Sequence, residues 1–253
     1  MPILDLTIVG PLDAARRERA AQRVADAAAA AFETGPGRCW ARLRELDASD
    51  YAENGGPTEA RPVFVNVLRH DLPPPVERAA LAATLARGVA EALGRPRENV
   101  HVLFEPAAAG RVAFGGALTP GPPRHRAESG ARWEAIVGYA RAVRVGDLVW
   151  VTGSTAVDDA GEPVGLGDAR AQATRCLEVV KAALETLGGS AADVVRTRMF
   201  VTDIARDWAA IGEAHAEVFG DVRPATTMVE VRKLIADWML VEIEADACLG
   251  GPG

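Results

Sequence analysis

A few groups of residues in this chain have the types and spacing to do chemistry. Pro2 follows Met1 directly, and removal of that methionine would give the proline a free secondary amine able to take and give protons. Arg69 in VNVLRHD offers a guanidinium fork for a carboxylate or a polarised carbonyl. Arg42 and Arg44 alternate onto one face of WARLREL, which is either a second anion-binding surface or a solvated sheet face. Tyr51 in YAENGG supplies an aromatic ring with a polar tip, as a pocket wall or as a cover for the core edge. In the second half, Tyr139 in GYARAV, Thr226 in PATT and Glu242 in VEIEA bring a phenol, a hydroxyl and a carboxyl, groups able to hydrogen-bond or exchange protons.

Metal chemistry is not expected. Cys39, Cys176 and Cys248 are scattered and odd in number, and His70, His101, His125 and His215 form no ligand pair. The glycines at 165 and 167 read as a turn, not a phosphate loop, so no cofactor is expected. Net charge is −7, which argues against a nucleic-acid partner, since phosphate recognition needs a basic footprint. No apolar run reaches the roughly 20 residues of a membrane span, and no secretory signal is visible. The cysteine usage fits a reducing compartment, so the expected location is cytoplasmic and the expected partner a small-molecule substrate.

The elements that must position these residues fall into two halves of a 253-residue chain. Residues 119–131, TPGPPRHRAESGA, read as a linker, giving domains at 2–118 and 132–250. The first half predicts a strand at 3–9, a helix at 12–32 and a strand at 40–46, then a loop ending in Gly55 and Gly56. The pattern repeats with a strand at 63–68, a helix at 76–93 and a strand at 100–104, ending in Gly115 and Gly116. Pro2 matches Pro62, Leu12 matches Leu72 and Glu45 matches Glu105, all at an interval of 60. Two β-α-β copies predict a four-stranded sheet with two helices on one face. The nitrogen of Pro62 is an amide and cannot act as a base; only Pro2 can become an amine.

A β-α-β repeat beginning at a proline after Met1, with YAENGG and FGG loops, resembles the tautomerase superfamily in its fused-repeat form, related to 4-oxalocrotonate tautomerase and cis-3-chloroacrylic acid dehalogenase. The resemblance covers residues 2–118 and implies that Pro2 is the general acid/base. It implies that Arg69 holds a substrate carboxylate, although the usual partner arginine is Leu72 here, leaving Arg42 and Arg44 to compensate. It places Tyr51 at the pocket mouth. The water-activating carboxylate of the dehalogenases would fall near Ala113, so proton transfer is expected instead of hydration. His70 should point away from Arg69 and is read as surface.

The second half predicts two strands from GYARAVRVGDLVWVTGSTAVDDAGEPVG joined by a turn containing Asp158, Asp159 and Gly161, then a helix capped by Asp168 and closed at Gly188 and Gly189. VVRTRMFVTDI predicts a strand, DWAAIGEAHAEVFG a helix, and TTMVEVRKL and MLVEIEADAC two more strands. Trp133, Trp150 and Trp238 read as packing residues. The motifs VGDLVWVTG, FVTDI, RPATTMVEV and VEIEADA resemble the RidA/YjgF deaminase family across residues 133–248. The resemblance implies a chorismate mutase-like α+β domain, a homotrimer with clefts between subunits, and hydrolysis of enamines and imines such as 2-aminoacrylate. It places Tyr139, Thr226 and Glu242 in the cleft, with Glu242 either orienting water or a substrate amine or making a structural hydrogen bond. The arginine that grips the carboxylate in that family is Thr226 here, and Arg223 could replace it only if the backbone turns at that point.

The combined expectation is an α+β protein of two α/β sandwich domains: a cofactor-free tautomerase or isomerase of a small carboxylated enol, enamine or imine, fused to a RidA-like domain that binds a related metabolite or fixes a homotrimer or dimer of trimers. The alternatives are an imine deaminase and a non-catalytic metabolite-binding scaffold.

Overall fold

Alternation in Ile3–Val9 puts Leu4, Leu6 and Ile8 on one buried face and Ile3, Asp5 and Thr7 on the other, which makes this strand, β1, the centre of a sheet. The computed structural model describes residues 1–55, 59–131 and 133–250; Gly56 and Arg132 of the sequence reading lie outside them. The chain divides into two compact units, Met1–Pro123 and Arg124–Gly253, in a mixed α+β architecture.

In the first unit, β1 pairs in parallel with β2 (Trp40–Leu46) and antiparallel with β3 (Val63–Leu68), and β3 pairs in parallel with β4 (Val100–Phe104). The four-stranded sheet that two β-α-β copies predict is present, and its strands run in the order β2-β1-β3-β4. The single helix expected over 12–32 is instead two: α1 (Ala14–Arg17), capped by Asp13, and α2 (Ala20–Ala31). Arg19 breaks them with a left-handed φ of 59°. Nothing in α1 is buried, so no packing holds the charged RRER segment in register with the apolar face of α2. The third helix, α3 (Pro75–Leu93), starts with proline in its first turn and stops at Gly94. An added Cβ at Gly88 would meet Ala27 Cβ at 3.0 Å, so the small residues let α2 and α3 cross closely. Val24, Ala28, Leu85 and Val89 cover Leu4, Leu6, Val65 and Val67. Full burial of a leucine or valine side chain contributes about 1.5–3 kcal/mol, so this layer fixes which strand residues face the helices and which stay open. A short hairpin, β5 (Ala113–Phe114) and β6 (Ala117–Leu118), turns at Gly115 and Gly116.

The second unit is a six-stranded sheet in the order β11-β10-β12-β9-β8-β7. Its strands are β7 (His125–Ala127), β8 (Ala142–Val145), β9 (Leu148–Ser154), β10 (Val194–Val201), β11 (Ala225–Glu230) and β12 (Val241–Cys248). Helices α4 (Ala169–Thr186) and α5 (Ile204–Phe219) supply Cys176, Leu177, Val180 and Ile211 to a core against Val149, Val151, Val241 and Ile243. Two expectations are corrected. The linker contains β7, whose residues 125–127 pair with β8 and belong to the sheet. The tight turn joining β8 to β9 is Gly146 and Asp147, with Gly146 at a φ of 61°. Asp158 instead closes a loop after β9, its carboxylate accepting from the backbone of Ala160 and Glu162.

Candidate functional site

Because side chains alternate along β12, Val241, Ile243, Ala245 and Ala247 face the helices, while Glu242, Glu244 and Asp246 face the open side of the sheet. That open side carries a cleft of about 750 Å³ bordered by Tyr139, Thr152, Trp150, Glu134, Arg198 and Glu244, among others. Arg198 spans Glu244 and Asp246, with Nε 2.7 Å from the Glu244 carboxylate and Nη1 3.2 Å from Asp246. Trp150 is 44% exposed here, and Trp133 is exposed too, so the expectation that both are packing residues fails within one chain.

Glu242 is aimed by a bulge. Two residues of β9, Thr152 and Gly153, oppose Glu244 alone, since Ser154 pairs with Ile243 and Val151 with Ala245. The Glu242 carboxylate fills the space a side chain at Gly153 would need: an added Cβ would lie 1.7 Å from its Oε1. Arg141 reaches the same backbone and donates from Nη1 to the Gly153 carbonyl at 2.9 Å. Its guanidinium lies 5.8 Å from the centre of the Tyr139 ring. Glu134 stands 3.9 Å from Arg141 Nε and accepts from the hydroxyl and backbone of Ser129. Burial, then the negative charge of Glu244, raises the pKa of Glu242 above the usual carboxylate range, and Arg141 opposes that rise. A carboxyl tuned upward in this way moves protons closer to neutral pH.

Thr226 lies on the opposite face. It pairs across β10 and β11 with Thr197, on the side covered by α5, and the two hydroxyls are 2.9 Å apart. Thr197 in turn lies 2.9 Å from His215 Nε2, and Thr226 donates to the Pro224 carbonyl at 3.0 Å. Burial lowers the pKa of His215. Within one chain Thr226 therefore does not join Glu242; the cleft in which the sequence reading places both is one between subunits. Period-two alternation along the sheet separates them. The backbone does turn at Arg223, where φ is 53°, but the Arg223 guanidinium donates to the Gly220 carbonyl.

In the first unit, a cavity of about 90 Å³ is lined by Met1, Ile3, Leu68, His70, Phe114 and Thr119, with Ala108 and Val112. Pro2 is buried beside it, and its carbonyl accepts from the Trp40 amide at 3.1 Å. Arg69 follows Val63, Val65 and Val67 in phase, so it points to the helix side, where its guanidinium lies 5.4 Å from the centre of the Phe32 ring. It does not line the cavity. His70 takes the other face as expected, but that face carries the cavity, so the reading of His70 as surface is corrected. Arg42 is on the open sheet face and grips Asp5 with two bonds of 2.6 Å, while Arg44 is exposed beside it. Tyr51 donates to Glu53 at 2.8 Å, which raises its pKa, and stands 6.1 Å from Phe64. None of Arg42, Arg44 and Tyr51 lines the cavity beside Met1.

The family model described as Endoribonuclease L-PSP matches residues 129–249. A RutC family protein of Pyrococcus abyssi is 37% identical over 109 residues, 43% of this chain and 84% of that protein. The protein named 3-aminoacrylate deaminase RutC of Acinetobacter baylyi is 37% identical over 112 residues, 44% of this chain and 87% of that protein. A crystal structure from Mycobacterium tuberculosis, of a member of the YjgF/YER057c/UK114 family, is 49% identical with a TM-score of 0.46, covering 50% of this chain and 100% of that one.

The chain belongs to the RidA/YjgF family.

Its RidA domain is the second unit. Sequence reasoning missed Arg141, Gly153, Thr197 and His215 in this domain. Arg141 lies just before β8, in the turn that follows Tyr139, where no strand alternation marks it. The other three depend on a bulge and on a helix-to-sheet contact, neither of which leaves a periodic trace.

Proposed function

We propose that the protein is an enzyme acting, without a cofactor, on small enol, enamine or imine compounds. The half-buried Glu242 of the RidA domain supports this best, because a bulge holds it against Gly153, near Arg141, with a raised pKa. In hydrolysis of an imine, the ionised Glu242 takes a proton from water as the water oxygen bonds to the imine carbon and the C=N pair moves to nitrogen. Glu242 passes that proton to nitrogen and then carries the remaining hydroxyl proton of the carbinolamine to nitrogen as well; the oxygen pair forms the carbonyl, the C–N bond breaks and its pair leaves with ammonia. Glu242→Gln keeps the shape and removes the base, and general acid–base groups typically contribute about 10²–10⁴-fold. Ammonia release from a panel of freshly generated enamines should fall by that order in the variant. Equal rates would leave Glu242 a structural residue.

A second reading concerns the first unit, where the cavity touching Met1 favours it: removal of Met1 would free the Pro2 amine at the cavity's edge, in the role implied by the tautomerase resemblance. Pro2→Ala should then abolish most keto–enol interconversion. Pro62→Ala should not, since the Pro62 nitrogen is an amide inside the sheet and its carbonyl accepts from Val9. Equal effects at both prolines would sink this reading.

A further inference from the structure

The cavity beside Met1 has walls that say what it would hold. Ile3, Leu68, Val112 and Phe114 are apolar, and Thr119 has its hydroxyl committed, donating to the Ala108 carbonyl at 3.3 Å and accepting from the Gly110 amide at 3.2 Å. His70 is the titratable side chain in the lining, and neither of its ring nitrogens bonds another described residue. Its position is fixed through the backbone, the His70 carbonyl accepting from Ala109 at 3.0 Å and the Arg69 carbonyl from Ala108 at 2.7 Å. Among the described residues no guanidinium lines the space: Arg69 lies on Phe32 and Arg42 on Asp5. Met1 forms part of the wall, so its departure would enlarge the cavity and leave the Pro2 nitrogen at its border.

We propose that this cavity binds an uncharged enol or ketone, with the Pro2 amine serving the carbon and the His70 imidazole the oxygen, and that it does not select a carboxylated substrate. This rests on the proton-transfer reading of Pro2. A desolvated carboxylate with no cation to meet it costs several kcal/mol, whereas a carbonyl needs one hydrogen bond, which His70 can supply. In ketonisation, His70 takes the enol O–H proton, the freed pair becomes the C=O π bond, and the C=C pair takes a proton from the protonated Pro2 amine. His70 then returns a proton to Pro2 through water, and the net change is isomerisation.

The test uses the full chain with loss of Met1 verified by mass. Keto–enol interconversion is followed by ultraviolet absorbance for acetylacetone, which is small and uncharged, and for oxaloacetate, its carboxylated counterpart. The expected result is kcat/KM at least tenfold higher for acetylacetone, about 10²-fold lower in His70→Ala, and lost in Pro2→Ala. His70→Gln, which keeps a donor but no exchangeable base, should retain KM and lose kcat, a split that a merely structural histidine would not produce. Preference for oxaloacetate, with turnover lost in Arg69→Ala and kept in His70→Ala, would overturn the assignment while leaving Pro2 as the base. Retention of Met1, or unchanged rates in Pro2→Ala, would overturn the proline reading and this proposal with it.

Discussion

Thr226 and Thr197 share a hydrogen bond of 2.9 Å between their side-chain hydroxyls. With His215 at one end and the Pro224 carbonyl at the other, the chain of donors and acceptors closes on the protein itself. Where the RidA resemblance implies an arginine projecting toward a substrate carboxylate, this protein has a hydroxyl already committed on the helix side of the sheet. Hydrogen bonds to ionised groups contribute roughly 1.5–3 kcal/mol against about 1 for neutral ones.

That deficit predicts weak handling of 2-aminoacrylate, the substrate class the resemblance names. Pyruvate release from freshly generated 2-aminoacrylate should be slow in the wild type and at least tenfold faster in Thr226→Arg. The variant also removes a partner of Thr197, so its melting temperature should be measured alongside. Rapid release by the wild type would mean that another cation grips the carboxylate. No rise in a folded variant would mean that the cleft is shaped for another ligand.

Much of the fold was legible because it is written in periodicity. Leu4, Leu6 and Ile8 alternate, and the interval of 60 residues between copies announces the four strands of the first unit, though not their order. The site was legible as a set of residues but not as an arrangement. Thr226 and Glu242 were read into one cleft, yet strand parity and the partnering of β11 with β10 put them on opposite faces. Arg69 was read as a substrate ligand, yet it follows Val67 in phase and therefore joins Phe32 on the helix side. Parity could have placed Arg69. The bulge at Gly153, which aims Glu242, inserts a residue and resets that count, and nothing in VWVTGS announces it.

The RidA resemblance implies a threefold assembly, and the open sheet face of the RidA domain carries Trp150 at 44% exposure with Val143 beside it in the cleft. An indole left this open beside Val143 suits burial against a second copy. Light scattering at micromolar concentration should give a homotrimer or a dimer of trimers. Trp150→Glu should shift the mass toward the monomer. A wild-type monomer would remove the clefts between subunits and the cleft role of Thr226 with them.

His215 gives the fold a pH signature. Burial holds its folded pKa below the ordinary histidine value, so the unfolded chain binds protons more readily near and below about pH 6.5. The stability contributed by neutral His215 is present above that pH and is lost as pH falls toward the folded pKa. Glu242 works the other way: its raised folded pKa favours the folded state at low pH, and that contribution is lost as pH rises through the folded value. Melting temperatures from pH 7.5 to 5.0 should fall less steeply in His215→Gln than in the wild type. Parallel profiles would show that His215 titrates alike in both states.

Gly153 offers the most direct way to move Glu242 without altering its chemistry. A methyl group at Gly153 would sit 1.7 Å from Glu242 Oε1, a distance no packing tolerates, so Gly153→Ala must drive the carboxylate out of its place or shift the bulge. Overpacking of this kind typically costs about 1–3 kcal/mol, which a melting curve would register. Displacement into water removes the burial that raises the Glu242 pKa, so a carboxyl titration followed by NMR should show it returning toward the ordinary carboxylate value. If Glu242 is the base in imine hydrolysis, the acid limb of the pH–rate profile should move down with it while the rate at neutral pH falls, because the carboxylate has left the place the bulge gives it. Glu242→Gln supplies the reference, with the shape kept and the base gone. A Gly153→Ala protein that is folded, with its Glu242 titration shifted but its rate and pH profile unchanged, would show that the carboxylate takes no part in the reaction.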